Sequence, residues 1–375
     1  MIVYLDNSAT TKPCEKAIKK ALEMMNENYG NPSSLHLCGY NAKKELDGAR
    51  HTISSFLKCD DNEVFFTPSG TVANHTAIFG TVKAKRREGK KVITTLLEHP
   101  SVLKHFEALA EYGYDVVYLK PDFNGKIDLE ELSNAVDENT VLVSVMAVNN
   151  EVGSIQDFSK IKGIIKDKKS KAYFHCDTVQ AFGKILLYPK KLGIDLMSMS
   201  AHKIHGIKGA GALFVNNNAR VLPSIVGGGQ ENGLISGTEA MPAICAFAEA
   251  VNDIGNVQKN FDNVSSVKES FVKRIKDIDK IQINSPEDAL PYIINISVEG
   301  VPSQVMLNSL STMGIYVSAG SACAKGHRSD VLTAMGVSSK DIDSAIRISL
   351  SKTTTENDME LLYNGIKETI NRVRR

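Results

Sequence analysis

The chain has 375 residues, 42% of them hydrophobic, which is enough to bury a sizeable core and suggests about two domains. With 44 basic and 43 acidic side chains the net charge is +1, so no overall field selects nucleic acid or an acidic membrane surface. No run approaches the roughly twenty apolar residues that a bilayer span needs, and the start of the chain lacks a basic, apolar leader; a soluble, cytoplasmic protein is expected.

In chain order, short β-rich runs alternate with helical patterns. Val64 to Phe66 leads to a helix from Thr71, and Val92 to Thr94 to one from Ser101. Asp115 to Tyr118 precedes a helix over Leu129 to Val136, and Val141 to Ala147 precedes one over Ile161 to Lys168. Ala172 to Cys176 is followed by strands around Leu196 and Ala212. This rhythm predicts an α/β domain with a mostly parallel sheet covered on both faces, whose ligand sits at the carboxyl ends of the strands. The basic run from Lys83 to Arg87 reads as the solvated end of a helix. From about residue 256 the pattern changes. A polar helix over Asn260 to Lys276 leads to Ile293–Val298, Val305–Met313, Tyr316-Val317, Ile346–Leu350 and a last helix from Thr355, which reads as a smaller α+β domain. The division expected is 15–255 for the large domain, with 1–14 and 256–375 forming the small one.

The six cysteines, Cys14, Cys38, Cys59, Cys176, Cys245 and Cys323, show no C-x-x-C spacing and predict reduced thiols rather than a disulfide framework or a metal site. Lys203 follows the apolar run Leu196 to Ser200 and precedes a turn containing Gly206, Gly209 and Gly211, so it is held close to backbone. In a crevice its pKa would fall toward the range where the amine is nucleophilic; the alternative is an ordinary lysine paired with a carboxylate. Asp177 closes the run Tyr173 to Cys176, with Gln180 beyond it, and is either an acceptor for a protonated ring nitrogen or a turn residue. Pro68-Ser69-Gly70-Thr71 joins a strand to a helix, as a phosphate site or a plain cap. His99 and Asn149-Asn150-Glu151 also follow strands. Gly227-Gly228-Gly229-Gln230-Glu231 and Ser236-Gly237-Thr238 form a loop that could approach a phosphate or serve only as a connector. A phosphate-type turn, a histidine, an asparagine, an aspartate and a lysine at the ends of successive strands are together what a pyridoxal 5'-phosphate site needs.

On these residues the chain resembles the class V, fold-type I pyridoxal-phosphate enzymes, and within them the cysteine desulfurases with a Ser-Gly-Ser-Ala-Cys type of loop. The matching segments are Tyr4 to Thr11, Gly30 to Ser34, Glu98-His99, Val148 to Gly153, His175 to Gln180, Ser200 to Lys203, Gly227 to Glu231, Ser236 to Thr238, Ala319 to Cys323 and Ile346 to Leu350. The resemblance implies a mostly parallel seven-stranded sheet in the large domain and a cytoplasmic homodimer. It implies that Lys203 holds the cofactor covalently and moves protons, that Asp177 pairs the pyridine nitrogen, and that Gln180 reaches the phenolic oxygen. His99 would stack on the ring and act as acid–base. Gly70, Thr71, Ser200 and His202 would bind the phosphate, joined by Thr238 of the second subunit. Asn150 and Arg347 would hold the substrate carboxylate, a role suited to a guanidinium that grips with two hydrogen bonds. Cys323 would be the nucleophile, in a loop of small residues that leaves it accessible and mobile, with Lys325, His327 and Arg328 near enough in sequence to lower its pKa. It would take sulfur from L-cysteine as a persulfide, leave L-alanine, and pass the sulfur to an iron–sulfur scaffold or a tRNA-thiolation enzyme. The family pattern is broken by Val72, His75 and Ile235, which stand where an acidic residue, an asparagine and an arginine are usual. Two other readings stay open: a related lyase or aminotransferase acting, for example, on selenocysteine, and a non-catalytic scaffold homologue.

Overall fold

The computed structural model describes residues 2–319 and 328–373. The chain opens with β1 (Val3–Tyr4), α1 (Glu15–Asn26) and α2 (Leu37–Leu57). There follow β2 (Val64–Thr67), α3 (Gly70–Ala84), β3 (Lys91–Thr95), α4 (Pro100–Glu111), β4 (Asp115–Leu119), α5 (Leu129–Ala135), β5 (Thr140–Ser144), α6 (Phe158–Asp167), β6 (Tyr173–Asp177), α7 (Pro189–Leu192), β7 (Leu196–Ser200) and β8 (Gly211–Val215). The remainder comprises α8 (Met241–Ile254), α9 (Val257–Ile275), β9 (Ile281–Ile283), β10 (Ile293–Val298), α10 (Ser303–Thr312), β11 (Ile315–Tyr316), α11 (Asp330–Ala334), α12 (Ser339–Asp343), β12 (Ala345–Ser349) and α13 (Glu356–Val373).

Seven strands form one sheet in the order β2-β8-β7-β6-β5-β3-β4. Only β8 runs against the others, pairing antiparallel with both β2 and β7. The α/β architecture expected from the alternating pattern, and the seven-stranded sheet implied by the resemblance, are both present. Strands β5, β7 and β8 are buried along their whole length, and β6 beyond its first residue, as strands covered on both faces are. A second sheet, β12-β10-β9, is antiparallel, and β1 pairs in parallel with β11. The run Val141 to Ala147 ends as a strand at Ser144; Val145 and Ala147 still donate to the His175 and Asp177 carbonyls, while the N–H of Met146 turns to the buried carboxylate of Glu98, 2.6 Å away.

Helix starts follow local chemistry. Ser69 caps α3 by accepting from the Val72 N–H at 3.3 Å, and His99 caps α4, where Pro100 occupies a first-turn position that needs no N–H. Helix α1 buries Ala17, Ala21 and Met24, one stripe at helical spacing, against α8. Helix α2 is pinned by Arg50, whose guanidinium grips both oxygens of Glu231 at 2.7 Å. Glu231 also accepts from the Phe66 N–H at 2.7 Å, and its side chain is 4% exposed. Removing one partner of such a pair leaves a buried charge, so Arg50→Met should destabilise the fold by about 3–5 kcal/mol in urea titrations. The double variant with Glu231→Gln should recover part of the loss.

Candidate active site

Strands β6 and β7 are parallel neighbours, with Asp177 in register with Ser198, so their carboxyl ends share one rim. Asp177 is the last residue of β6, and Lys203 closes a short 3-10 turn, Ala201–Lys203, immediately after β7. Strand β8 returns beside them through Gly211, where a Cβ would lie 2.7 Å from both the Met199 oxygen and the Ser69 carbonyl carbon. Gly70 is equally constrained, since a Cβ there would sit 2.9 Å from Val179. Both glycines let the α3 turn press against the β7 end.

Between these elements lies a cavity of about 290 Å³. Its wall includes Gly70, Thr71, His99, Asn150, Asp177, Gln180, Ser200, His202 and Lys203, nine of the residues singled out from sequence. Arg347, on β12, stands one residue behind the wall: it donates to the Asn150 carbonyl at 3.0 Å and to Asp6 at 2.9 Å, and its buried Nε has no partner among the described residues. Thr238 lines a different cavity of the same chain, with Phe66, Pro68 and Glu231. The loop Gly227 to Thr238 therefore does not reach the larger cavity within one chain. Cys323, Lys325 and His327 lie outside the described residues. The segments that flank them are fixed near the site. Ser318 and Arg347 exchange two backbone hydrogen bonds, Ser329 donates to the buried Glu151 at 2.5 Å, and Arg328 forms a two-point ion pair with Asp343.

The Lys203 amine donates to the backbone oxygens of Ser8 and Ala9, at 2.5 and 2.8 Å. Burial, aided by the Arg347 charge and opposed by Asp177 and Asp6, lowers its pKa to about 8. His202, bonded to Thr10 at 3.1 Å, is held near 4 by burial and the neighbouring Lys203, so it is a neutral donor. Asp177 receives Asn74 Nδ2 at 2.8 Å on one oxygen and the Val179 N–H at 2.9 Å on the other. Asn74 also donates to Ser101 Oγ at 2.9 Å. His99 Nδ1 accepts from the Ser101 N–H at 3.1 Å and lies 2.8 Å from its hydroxyl, which places the ring proton on Nε2. Glu98 is fully buried with one oxygen unpartnered among the described residues; burial pushes its pKa well above the usual carboxylate range, and Asp177 adds to that.

Asn74, Ser101, Ser8 and Ala9 carry this network without having been assigned roles from sequence. For Asn74 a signal existed: an amide amid the buried small and apolar residues Ala73, Ala77 and Ile78. Of the breaks in the family pattern, Ile235 is buried against Ala73, Ala77 and Leu213, an apolar setting that excludes a guanidinium. His75 pairs with His105 at 3.0 Å. Nothing in the structure explains Val72.

The residues fit pyridoxal phosphate. The N–H groups that open α3, beside Ser200 and His202, suit a phosphate. The same wall carries a carboxylate and a buried amine, the groups that a ring nitrogen and an aldehyde would need.

The sequence matches the profile of the family described as Aminotransferase class-V over residues 3–362. A protein named cysteine desulfurase IscS from Clostridium botulinum is 36% identical over 98% of this chain and 94% of its own length. The cysteine desulfurase IscS of Methanosarcina thermophila is 35% identical over 99% and 93%. Among solved structures, a NifS-like protein superposes with a TM-score of 0.94 at 34% identity, covering 99% of this chain and 100% of its own. SspA, solved in complex with cysteine, gives 0.84 at 30% identity over 94% and 99%.

Proposed function

The chain belongs to the class-V aminotransferase family of pyridoxal-phosphate enzymes, in the branch whose members are named cysteine desulfurases, and on that premise we propose that it converts L-cysteine to L-alanine and takes the sulfur onto Cys323 as a persulfide. The observation that carries this reading is the single cavity shared by a depressed lysine amine, a doubly held aspartate and a helix N-terminus. Pyridoxal phosphate, when bound, supplies an electron sink for negative charge left on the substrate carbon.

Lys203 would hold the cofactor and afterwards move protons at the substrate carbon; a pKa near 8 leaves it a larger fraction of free amine at neutral pH than an ordinary lysine has. Asp177 keeps the pyridine nitrogen protonated. Gln180 donates to the phenolic oxygen, and His99 covers the ring. Gly70, Thr71, Ser200 and His202 bind the phosphate, completed by Thr238 of the neighbouring copy in a homodimer. Asn150 and Arg347 orient the substrate carboxylate. The Cys323 thiolate attacks the substrate sulfur, the carbon–sulfur bond breaks with its electron pair left on carbon, and protonation there gives alanine. The attachment of Ser318 to Arg347, and of Ser329 to Glu151, supports a thiol delivered beside the held carboxylate. The persulfide then passes to a protein acceptor, an iron–sulfur scaffold or a tRNA-thiolating enzyme. The chain divides, on this reading, into a large cofactor-binding unit, 15–255, and a smaller one, 1–14 with 256–375.

The test is to load the purified protein with pyridoxal phosphate, add L-cysteine, and measure alanine together with the mass of the Cys323 peptide. One added sulfur atom and stoichiometric alanine are expected. A Cys323→Ala protein that releases alanine at the parent rate would instead indicate a lyase, and a protein that stays colourless with the cofactor a scaffold.

A further inference from the structure

Lys184 is a buried lysine, 6% exposed, with no carboxylate beside it among the described residues. Its amine lies 3.3 Å from Gln180 Oε1 and 5.8 Å from the ring centre of Tyr292. A lone buried amine is costly to keep. Burial, then Lys203 and Arg347, bring its pKa down to about 7, and neutral or charged it still donates.

What it donates to matters, because a side-chain amide has two edges of nearly equal shape and opposite polarity, and its neighbours decide which edge faces a ligand. The Ser8 carbonyl can only accept, and it lies 3.0 Å from Gln180 Nε2. That contact and the Lys184 donor, one at each edge of the amide, together hold it with Oε1 toward Lys184. One hydrogen of the NH₂ group is taken by Ser8; the other has no partner among the described residues, and Gln180 lines the 290 Å³ cavity. The same Ser8 oxygen accepts from Lys203, so the two lysines bracket one short chain of hydrogen bonds. They also share the wall of a second, smaller cavity of about 30 Å³, with Asn7, Thr11 and Tyr292.

We infer that Lys184 is a positioning residue: by donating to Gln180 Oε1 it locks the amide with its NH₂ edge toward the cofactor's phenolic oxygen. This rests on the proposal that pyridoxal phosphate occupies the cavity. An amide donor on that oxygen competes with the proton on the cofactor-bound Lys203 nitrogen, so it lowers the pH at which that proton leaves. Without Lys184 only the Ser8 contact opposes a turn of the amide oxygen toward the phenolic oxygen, and such a turn reverses the effect.

The test is a pH titration of the visible absorption of the loaded protein, for the parent, Lys184→Met, Lys184→Gln, Gln180→Ala and the Lys184→Met/Gln180→Ala double variant. Lys184→Met should raise the midpoint by about one pH unit, tenfold in the proton equilibrium. The same substitution should add nothing in the Gln180→Ala background. Lys184→Gln retains an uncharged N–H donor, gives a second folded variant, and should titrate nearer the parent. Any of three results overturns the inference: a Lys184→Met midpoint equal to the parent's, an equal shift in the Gln180→Ala background, or a Lys184→Gln protein that shifts as far as the methionine variant. A parent protein that develops no visible band would instead remove the cofactor reading itself, and the inference with it.

Discussion

Lys203→Ala is expected to lower alanine production from cysteine by roughly 10²–10⁴-fold or more, the range associated with losing a positioned proton-transfer group, and to abolish covalent retention of the cofactor through borohydride treatment and denaturation. The expectation follows from where the amine sits. It ends the turn after β7, its hydrogens are taken by the Ser8 and Ala9 carbonyls, and burial makes its charged form less favourable than in water. A depressed lysine pKa has a signed consequence. Below about 8 the ammonium predominates and cannot attack an aldehyde; above it the free amine does. Capture of pyridoxal phosphate by the cofactor-free protein should accelerate about tenfold per pH unit on the acid side and level off above pH 8, followed by stopped-flow absorbance. A rate constant unchanged between pH 6 and 9 would show that a different group is titrating.

Asp177→Ala should cost on the order of 10²–10³ in kcat/KM with the cofactor saturating, the loss typical of removing one electrostatic group aimed at developing charge. Both carboxylate oxygens are held, one by Val179 and one by Asn74, so the position of the charge is set before any ligand arrives. Asp177→Asn keeps the shape but brings an amide toward a fixed N–H donor, and it carries no charge; it should be nearly as impaired as the alanine variant. A fully loaded Asp177→Ala protein within threefold of the parent rate would remove the aspartate from the reaction.

The sheet could be read from the chain because β2 to β7 are short β-rich runs separated by helical stretches, and because Asp177 and Lys203 both follow such runs. Where a backbone group leaves its ladder for a side chain from elsewhere, as Met146 does for Glu98, no local pattern records it. The same holds for the support behind the candidate site. Asn74 joins Asp177 to Ser101 and His99 across residues far apart in sequence, and Lys184 reads as a surface-type residue until its burial is known. Thin signals such as the loop Gly227 to Thr238 pointed toward a phosphate, whereas within one chain that loop secures α2 through Glu231 and lines another cavity.

The two-way backbone pairing of Ser318 with Arg347 separates two tasks that might otherwise evolve together. On the proposed function, the grip on the amino acid would belong to the rung itself, while the distance a sulfur could be carried would belong to the sequence between Ser318 and Arg328. Changing the length of a connecting stretch costs little free energy. Residues can therefore be added or removed there to suit a different recipient, with the choice of amino acid left as it was.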